Sequence, residues 1–168
     1  MSASPGDLRD QVVAMLPRLR RFARTLARDP HDADDLVQIA IERGLAHAGQ
    51  LRAGSSVAAW LFGILRNAWI DEHRSRRHRE VLGLPEGADE TVGDPTTGSP
   101  DELLCVQEAL GRLPDEQRLA VSLVLIEGLS YKEAAAVMNV PIGTLTSRLA
   151  RGRETLQTLL SEGPGGRS

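Results

Sequence analysis

Residues 130–153, SYKEAAAVMNVPIGTLTSRLARGR, read as two helices joined by a sharp turn. Ser130 followed three positions later by Glu133 has the form of a capping box: the serine oxygen accepts from an orphan backbone N–H and the glutamate reaches back. The helix it opens, Tyr131–Met138, sets Ala134, Ala135 and Met138 on one side, with alanines small enough for a second helix to approach closely. Asn139-Val140-Pro141 ends it, because Asn tolerates the left-handed conformation and Pro cannot continue a helix. A second helix, from about Ile142 towards Leu160, repeats Leu145, Leu149, Gly152, Leu156 and Leu159 on one face. At about 100° per residue, Thr146, Ser147, Ala150 and Arg151 point the other way, as the side chains of a helix laid in a major groove do. A helical hairpin with a solvated, arginine-bearing face fits the same residues, so this stretch alone leaves DNA reading and plain packing both open.

The 168 residues allow one large domain or two small ones, and charge is uneven along them. Residues 1–80 carry +3, residues 81–100 carry −4 and residues 101–168 carry −2, for a net −3. A free-standing DNA binder has a basic footprint. A mildly acidic chain should bind DNA weakly by itself, so any DNA-binding role needs a partner. The single Cys105 excludes an intrachain disulfide, suggests a reducing compartment and is expected at a half-buried helix position. His31, His47, His73 and His78 show no metal-ligand spacing. No signal peptide is expected, and the apolar stretch Leu119–Ile126 is too short to span a bilayer. A cytoplasmic protein without membrane insertion is the expectation.

Outward from the hairpin, every periodic segment reads as helix. Leu8, Val12, Leu16, Leu19, Phe22, Ala23 and Leu26 fit two short helices interrupted near Pro17, which suits the first turn of the second. Asp29-Pro30 stops that run. The next helix begins around Asp32 and buries Ala33, Leu36, Val37, Ala40, Ile41 and Gly44; Asp32, Asp34 and Asp35 complement its positive end. Gly49–Ser56 is a loop. A long helix from Val57 to about Arg79 has Val57, Trp60, Leu61, Ile64, Leu65 and Ala68 as its core stripe, then turns basic. Leu84–Ser99 is aperiodic, rich in Pro, Gly and acids, and reads as a flexible linker. Ser99-Pro100-Asp101-Glu102 restarts a helix with Leu103, Leu104, Ala109 and Leu110, and Pro114 opens another through Ile126. The fold class is all-α, two small helical domains joined by a flexible linker.

Two outward faces stand out. On the helix from Asp32, the face away from the core shows Asp35, Gln38, Ile39 and Glu42, where an apolar residue among acids and an amide suits protein docking and equally suits an ordinary scattered surface residue. On the long helix, Gly63, Arg66, Asn67, Ile70, His73, Arg74 and Arg77 lie away from the core stripe. Asn and Arg can meet base edges and phosphates; a solvated basic helix end is the alternative.

The segments DADDLVQIAIERGL (32–45), SSVAAWLFGILRNAWIDEHRSRRHR (55–79) and ALGRLPDEQRLAVSLVLIEGLSYKEAAAVMNVPIGTLTSRLARGRETL (109–156) together closely resemble bacterial RNA polymerase sigma factors of the extracytoplasmic-function (ECF) group of the sigma-70 family. The likeness spans about residues 8–160, and three motifs in this order across a linker are highly specific. It implies sigma domain 2 over 7–80 (core polymerase docking, minus-ten recognition and melting), an acidic flexible linker over 81–99, and sigma domain 4 over 100–161 (minus-thirty-five recognition by the helix-turn-helix). It assigns polymerase docking on the β′ clamp to Asp35, Gln38, Ile39 and Glu42, with the β flap as a further polymerase contact. The minus-ten element falls to Ser55, Arg66, Asn67, Asp71, Arg74 and Arg77, with Arg74, Arg76 and Arg77 holding the DNA backbone. The minus-thirty-five element falls to Thr144, Thr146, Ser147, Arg148, Ala150, Arg151 and Arg153, of which Thr146, Ser147, Ala150 and Arg151 face bases while Arg148 and Arg153 flank them. Thr146 stands where many relatives carry Lys or Arg, Gly63 where Arg is common, and Ala150 offers a thymine methyl an apolar contact.

On this resemblance the acidic balance is no obstacle, because core enzyme supplies most of the DNA affinity and each half-site contact works at high effective concentration. The implied partners are core RNA polymerase, promoter DNA and an anti-sigma factor; the free chain is expected to be a monomer. No catalytic site, cofactor or metal is expected. Two alternatives remain open at this stage. A sigma mimic that titrates an anti-sigma factor would have lost DNA-facing residues and carry a receiver domain, whereas this chain keeps Asn67, Arg148 and Arg151 and has no room for one. A stand-alone helix-turn-helix regulator would dimerise and bind DNA tightly without polymerase.

Overall fold

The computed structural model describes residues 5–27, 29–52, 54–83 and 100–162, and among these there is helix and no strand. The chain divides into two compact units, Met1–Gly93 and Asp94–Ser168. Most of the expected linker, residues 84–99, lies outside the described residues.

The first unit is built from α1 (Pro5–Leu26), α2 (Pro30–Ala46) and α3 (Val57–Val81), with a single 3-10 turn at Ala48–Gln50. Each helix packs on both others. Leu8, Val12, Met15, Leu19, Phe22, Ala23 and Leu26 of α1 meet Ala33, Leu36, Val37 and Ala40 of α2 and Leu61, Phe62, Leu65, Ala68 and Trp69 of α3. At the centre the Phe22 and Phe62 rings meet edge to face, 5.0 Å apart at 71°, a geometry worth about 0.5–1.5 kcal/mol beyond the area it buries. Arg18 lies over the Phe62 ring, 5.3 Å from its centroid.

Several sequence expectations change here, Ile41 of α2 among them, which is half-buried where the sequence predicted it buried. The first segment is one helix, with Pro17 inside α1. Pro17 and Val13 are exposed, so the Val13 carbonyl released by the missing N–H faces water, while Met15 and Leu19 anchor the helix on either side. α2 starts at Pro30, two residues before the expected Asp32: Asp29 is its N-cap, accepting from the His31 N–H at 2.8 Å, and Pro30 takes the first helical position. In α3, Phe62 and Trp69 are buried, whereas Val57, Trp60 and Ile64 are only half-buried. A helix wedged between two partners buries a wider arc than the single stripe read from the sequence.

α2 and α3 approach closely at Gly44, where an added Cβ would lie 3.0 Å from Leu61 Cδ2 and 3.7 Å from the Trp60 ring. Beyond Ile70 every described residue of α3 is exposed. This basic end is tied to α2 by two ion pairs, Arg43 with Asp71 at 3.4 Å and Arg76 with Asp32.

The second unit comprises α4 (Pro100–Arg112), α5 (Asp115–Val121) running into a π-helical turn at Ser122–Ile126, α6 (Tyr131–Met138) and α7 (Ile142–Ser161). α7 packs on α4, α5 and α6. Its Leu145 and Leu149 enter a core of Leu110, Leu113, Leu119, Val121, Leu123, Ala134, Ala135 and Met138. Leu156 and Leu159 are half-buried. In the π turn the Glu127 N–H reaches back to the Ser122 carbonyl at 2.9 Å. Buried Arg118 donates to Asp115 Oδ1 at 2.7 Å, a partnered burial that a lone guanidinium could not sustain. Cys105 is exposed rather than half-buried, because α4 turns Ala109 and Leu110 inward and leaves Leu104, Cys105 and Val106 outside.

Candidate nucleic-acid and partner interfaces

The α6–α7 pair is held by local chemistry that the sequence announces. Ser130 Oγ accepts from the Glu133 N–H at 3.1 Å, and the Ser130 N–H donates to Glu133 Oε1 at 3.4 Å. Asn139 is left-handed, φ 54° and ψ 48°. Its N–H donates to the Ala136 carbonyl at 3.2 Å and the Val140 N–H to the Ala135 carbonyl at 3.0 Å, which is the Schellman arrangement. Both ends of α6 are thus closed by hydrogen bonds, so the turn into α7 is set by backbone geometry.

α7 then presents two faces. Leu145, Leu149 and Gly152 are buried; Ser147, Ala150, Arg151 and Arg153 are exposed; Thr144, Thr146 and Arg148 are half-buried. The Thr146 hydroxyl donates to the Gly143 carbonyl at 2.9 Å. Arg148 turns to α5, with its guanidinium 3.1 Å from Glu116 Oε2. Gly152 lets α5 in: an added Cβ would lie 2.7 Å from Val121 Cγ2 and 3.2 Å from the Gln117 carbonyl oxygen.

In the first unit Asp35, Gln38 and Glu42 are exposed along the outer face of α2, and Ile39 is half-buried. The Gln38 amide donates to Glu42 Oε1 at 3.4 Å. An open groove of about 540 Å³ runs between α1 and α2, with Leu16, Val37 and Ile41 as its apolar part. Arg20 and Arg24 line it from α1, and Asp34, Gln38 and Glu42 from α2. Sequence reasoning missed Arg20 and Arg24, whose signal was the i, i+4 row Leu16, Arg20, Arg24 on one side of α1, and took Asp34 only as a complement to the helix dipole.

On α3, Asn67 is exposed and its Oδ1 accepts from Arg66 Nη1 at 3.3 Å. Arg74 and Arg77 stand exposed on the helix end, and Asp71 is exposed with Arg43 beside it. Ser55 is exposed in the turn before the helix, next to Gly54 at φ +84°, and Ser56 caps α3 by accepting from the Ala59 N–H at 3.2 Å. Ser55 lies at the opposite end of α3 from Arg74 and Arg77. Among the described residues no group of three or more His, Cys, Asp or Glu is placed to hold a metal ion, and no helix is long and apolar enough to cross a membrane.

Comparison with known proteins places both units. Residues 12–79 match the family model for sigma-70 region 2, and residues 103–156 the model for sigma-70 region 4. The ECF RNA polymerase sigma factor EcfG of Rhodopseudomonas palustris is 40% identical over 159 residues, covering 92% of this chain and 85% of that protein. The ECF RNA polymerase sigma factor SigM of Mycobacterium tuberculosis is 38% identical over 143 residues, covering 85% of this chain and 71% of that protein. Among solved structures, the sigma factor RpoE of Bartonella quintana, crystallised with the anti-sigma factor NepR, is similar with a TM-score of 0.83 and 33% identity. That match covers 94% of this chain and 98% of the other. With both region models matched in order and relatives of this identity over nearly the whole length, the chain belongs to the ECF group of sigma-70 family RNA polymerase sigma factors.

Proposed function

We propose that this chain docks on core RNA polymerase through the outer face of α2, carries it to a narrow promoter set and helps open the start region. Residues 7–80 act as sigma domain 2 and residues 100–161 as sigma domain 4, with residues 81–99 as the tether. Asp35, Gln38, Ile39 and Glu42 meet the β′ clamp. Asn67, with Arg66, Asp71, Arg74 and Arg77 along the same helix and Ser55 in the turn before it, serves the minus-ten element. Ser147, Ala150 and Arg151 face minus-thirty-five bases, and Thr144, Thr146 and Arg153 border them; Arg148 joins them only by leaving Glu116. The observation that carries this reading is the division of α7 into a packed face and an outward face holding Ser147, Ala150 and Arg151. Phosphodiester chemistry belongs to the polymerase, and the chain has no catalytic role of its own. It works in the cytoplasm, where polymerase and promoters are.

An anti-sigma factor that covers the α2 face keeps the chain inactive until a signal releases it. The exposed acid and amide side chains beside the α1–α2 groove support this, and the similar RpoE was solved with such a partner.

Run-off transcription with purified core polymerase, this chain and fragmented genomic DNA tests the reading. Discrete transcripts are expected, lost when Asn67→Ala and Arg151→Ala are combined. Co-elution with core but no transcripts would refute promoter reading, and failure to co-elute would refute the assignment of α2.

A further inference from the structure

The outward side of α7 carries three arginines in different electrostatic circumstances. Arg151 and Arg153 are exposed and have no acidic partner among the described residues. Arg148 stands one turn before Arg151 on the same flank, at the i, i+3 spacing that makes helix side chains neighbours. Its side chain is only 25% exposed, and its guanidinium lies 3.1 Å from the carboxylate of Glu116, which reaches over from the first turn of α5 and is itself 65% exposed. A carboxylate at that distance pairs with the guanidinium charge, as a DNA phosphate would. It also places a negative charge where an approaching DNA backbone is repelled.

We propose that Glu116 is an intramolecular stand-in for a DNA phosphate: it holds Arg148 against α5 and lowers the chain's own affinity for duplex DNA. The inference rests on the proposed DNA-facing role of α7 and names a residue that acts on it from another helix. Glu116 is a positioning residue, since it works through Arg148. Its consequence suits a factor that should reach promoters only on the polymerase: unaided binding is kept weak, and the tether to core enzyme makes up the difference.

The test is fluorescence anisotropy of the full chain with a fluorescein-labelled mixed-sequence duplex of about 30 base pairs, titrated from about 20 to about 200 mM salt. Glu116→Gln keeps the shape, removes the charge and lies at an exposed site, and far-UV circular dichroism checks that folding is unchanged. In Glu116→Gln the slope of log K against log salt steepens by about 0.9, the increment for one further phosphate contact, and affinity at about 50 mM salt rises about tenfold. Adding Arg148→Ala to Glu116→Gln returns binding to within about twofold of wild type, while adding Arg148→Lys instead keeps most of the gain, because either cation can hold a phosphate. A purely structural role for Glu116, holding α7 at its angle, predicts weaker binding on Glu116→Gln. Weaker or unchanged binding by that variant, with wild type binding normally, would overturn the inference and leave the reading of α7 intact. No binding by any form at the lowest salt, Glu116→Gln included, would also overturn the inference, since removing that charge then releases no affinity, while the reading of α7 stands or falls by the transcription assay.

Discussion

Replacing Gly152 with alanine tests how tightly α7 is seated. The new Cβ would sit 2.7 Å from Val121 Cγ2 and 3.2 Å from the Gln117 carbonyl oxygen, against about 3.5–4.0 Å for relaxed carbon contacts. Val121 is buried, 1% exposed, and a branched side chain in a helix has one strongly preferred rotamer; the carbonyl belongs to the backbone of α5. Neither can swing away, so α5 and α7 must part by nearly an ångström. Overpacking of this kind costs about 1–3 kcal/mol. Alanine returns about 1 kcal/mol of helix propensity, leaving a net loss of about 1 kcal/mol. Gly143 lies on the same helix with nothing within 4 Å of an added Cβ, so Gly143→Ala keeps the propensity gain without the clash. Urea titration of the two variants should therefore separate them by about 2 kcal/mol, the overpacking cost itself. Both tryptophans, Trp60 and Trp69, lie in α3, so their fluorescence reports the first unit, while far-UV circular dichroism reports both. The difference must appear in the dichroism transition and leave the tryptophan transition unmoved. Equal stabilities for the two variants would refute the seating described here.

Asp29→Ala removes the side-chain cap at the start of α2 and should lower stability by about 1 kcal/mol, read this time by tryptophan fluorescence. At Asn139, alanine should destabilise the second unit by about 1–2 kcal/mol because a Cβ without a compensating polar group is strained at positive φ, whereas glycine should be tolerated there; urea titration followed by dichroism distinguishes them.

The helices were legible because their causes are local. Periodic leucines, the Ser130–Glu133 box and the Asn139 stop each depend on residues within one turn of one another. What escaped was decided by partners distant in sequence. Asp29-Pro30 reads as a stop for α1, yet it is also the cap and first turn of α2, and only the bend between two packed helices reveals the second use. Pro17 breaks a helix in isolation, but here its side faces water while Met15 and Leu19 are held by the core. Phe62 and Trp69 lie outside the α3 stripe because that stripe assumes one neighbour and α3 has two. The outward residues of α2 and α7 follow from the same periodicity as the cores. The partner of Arg148 does not: Glu116 is far off in the chain and on another helix, and no spacing rule points from one to the other. The pairing of Arg76 with Asp32 escaped for the same reason.

The Schellman turn at Asn139 has a consequence for how a protein of this design can change allegiance. The turn fixes where α7 emerges through backbone hydrogen bonds, and Leu145, Leu149 and Gly152 lock it in place from behind. Ser147, Ala150 and Arg151 bear none of that burden. If α7 reads DNA as proposed, they form a small keyboard on a rigid mount, where new sequence preferences can be written one residue at a time without renegotiating the fold. Arg148 is the exception: rewriting it also requires an answer for Glu116.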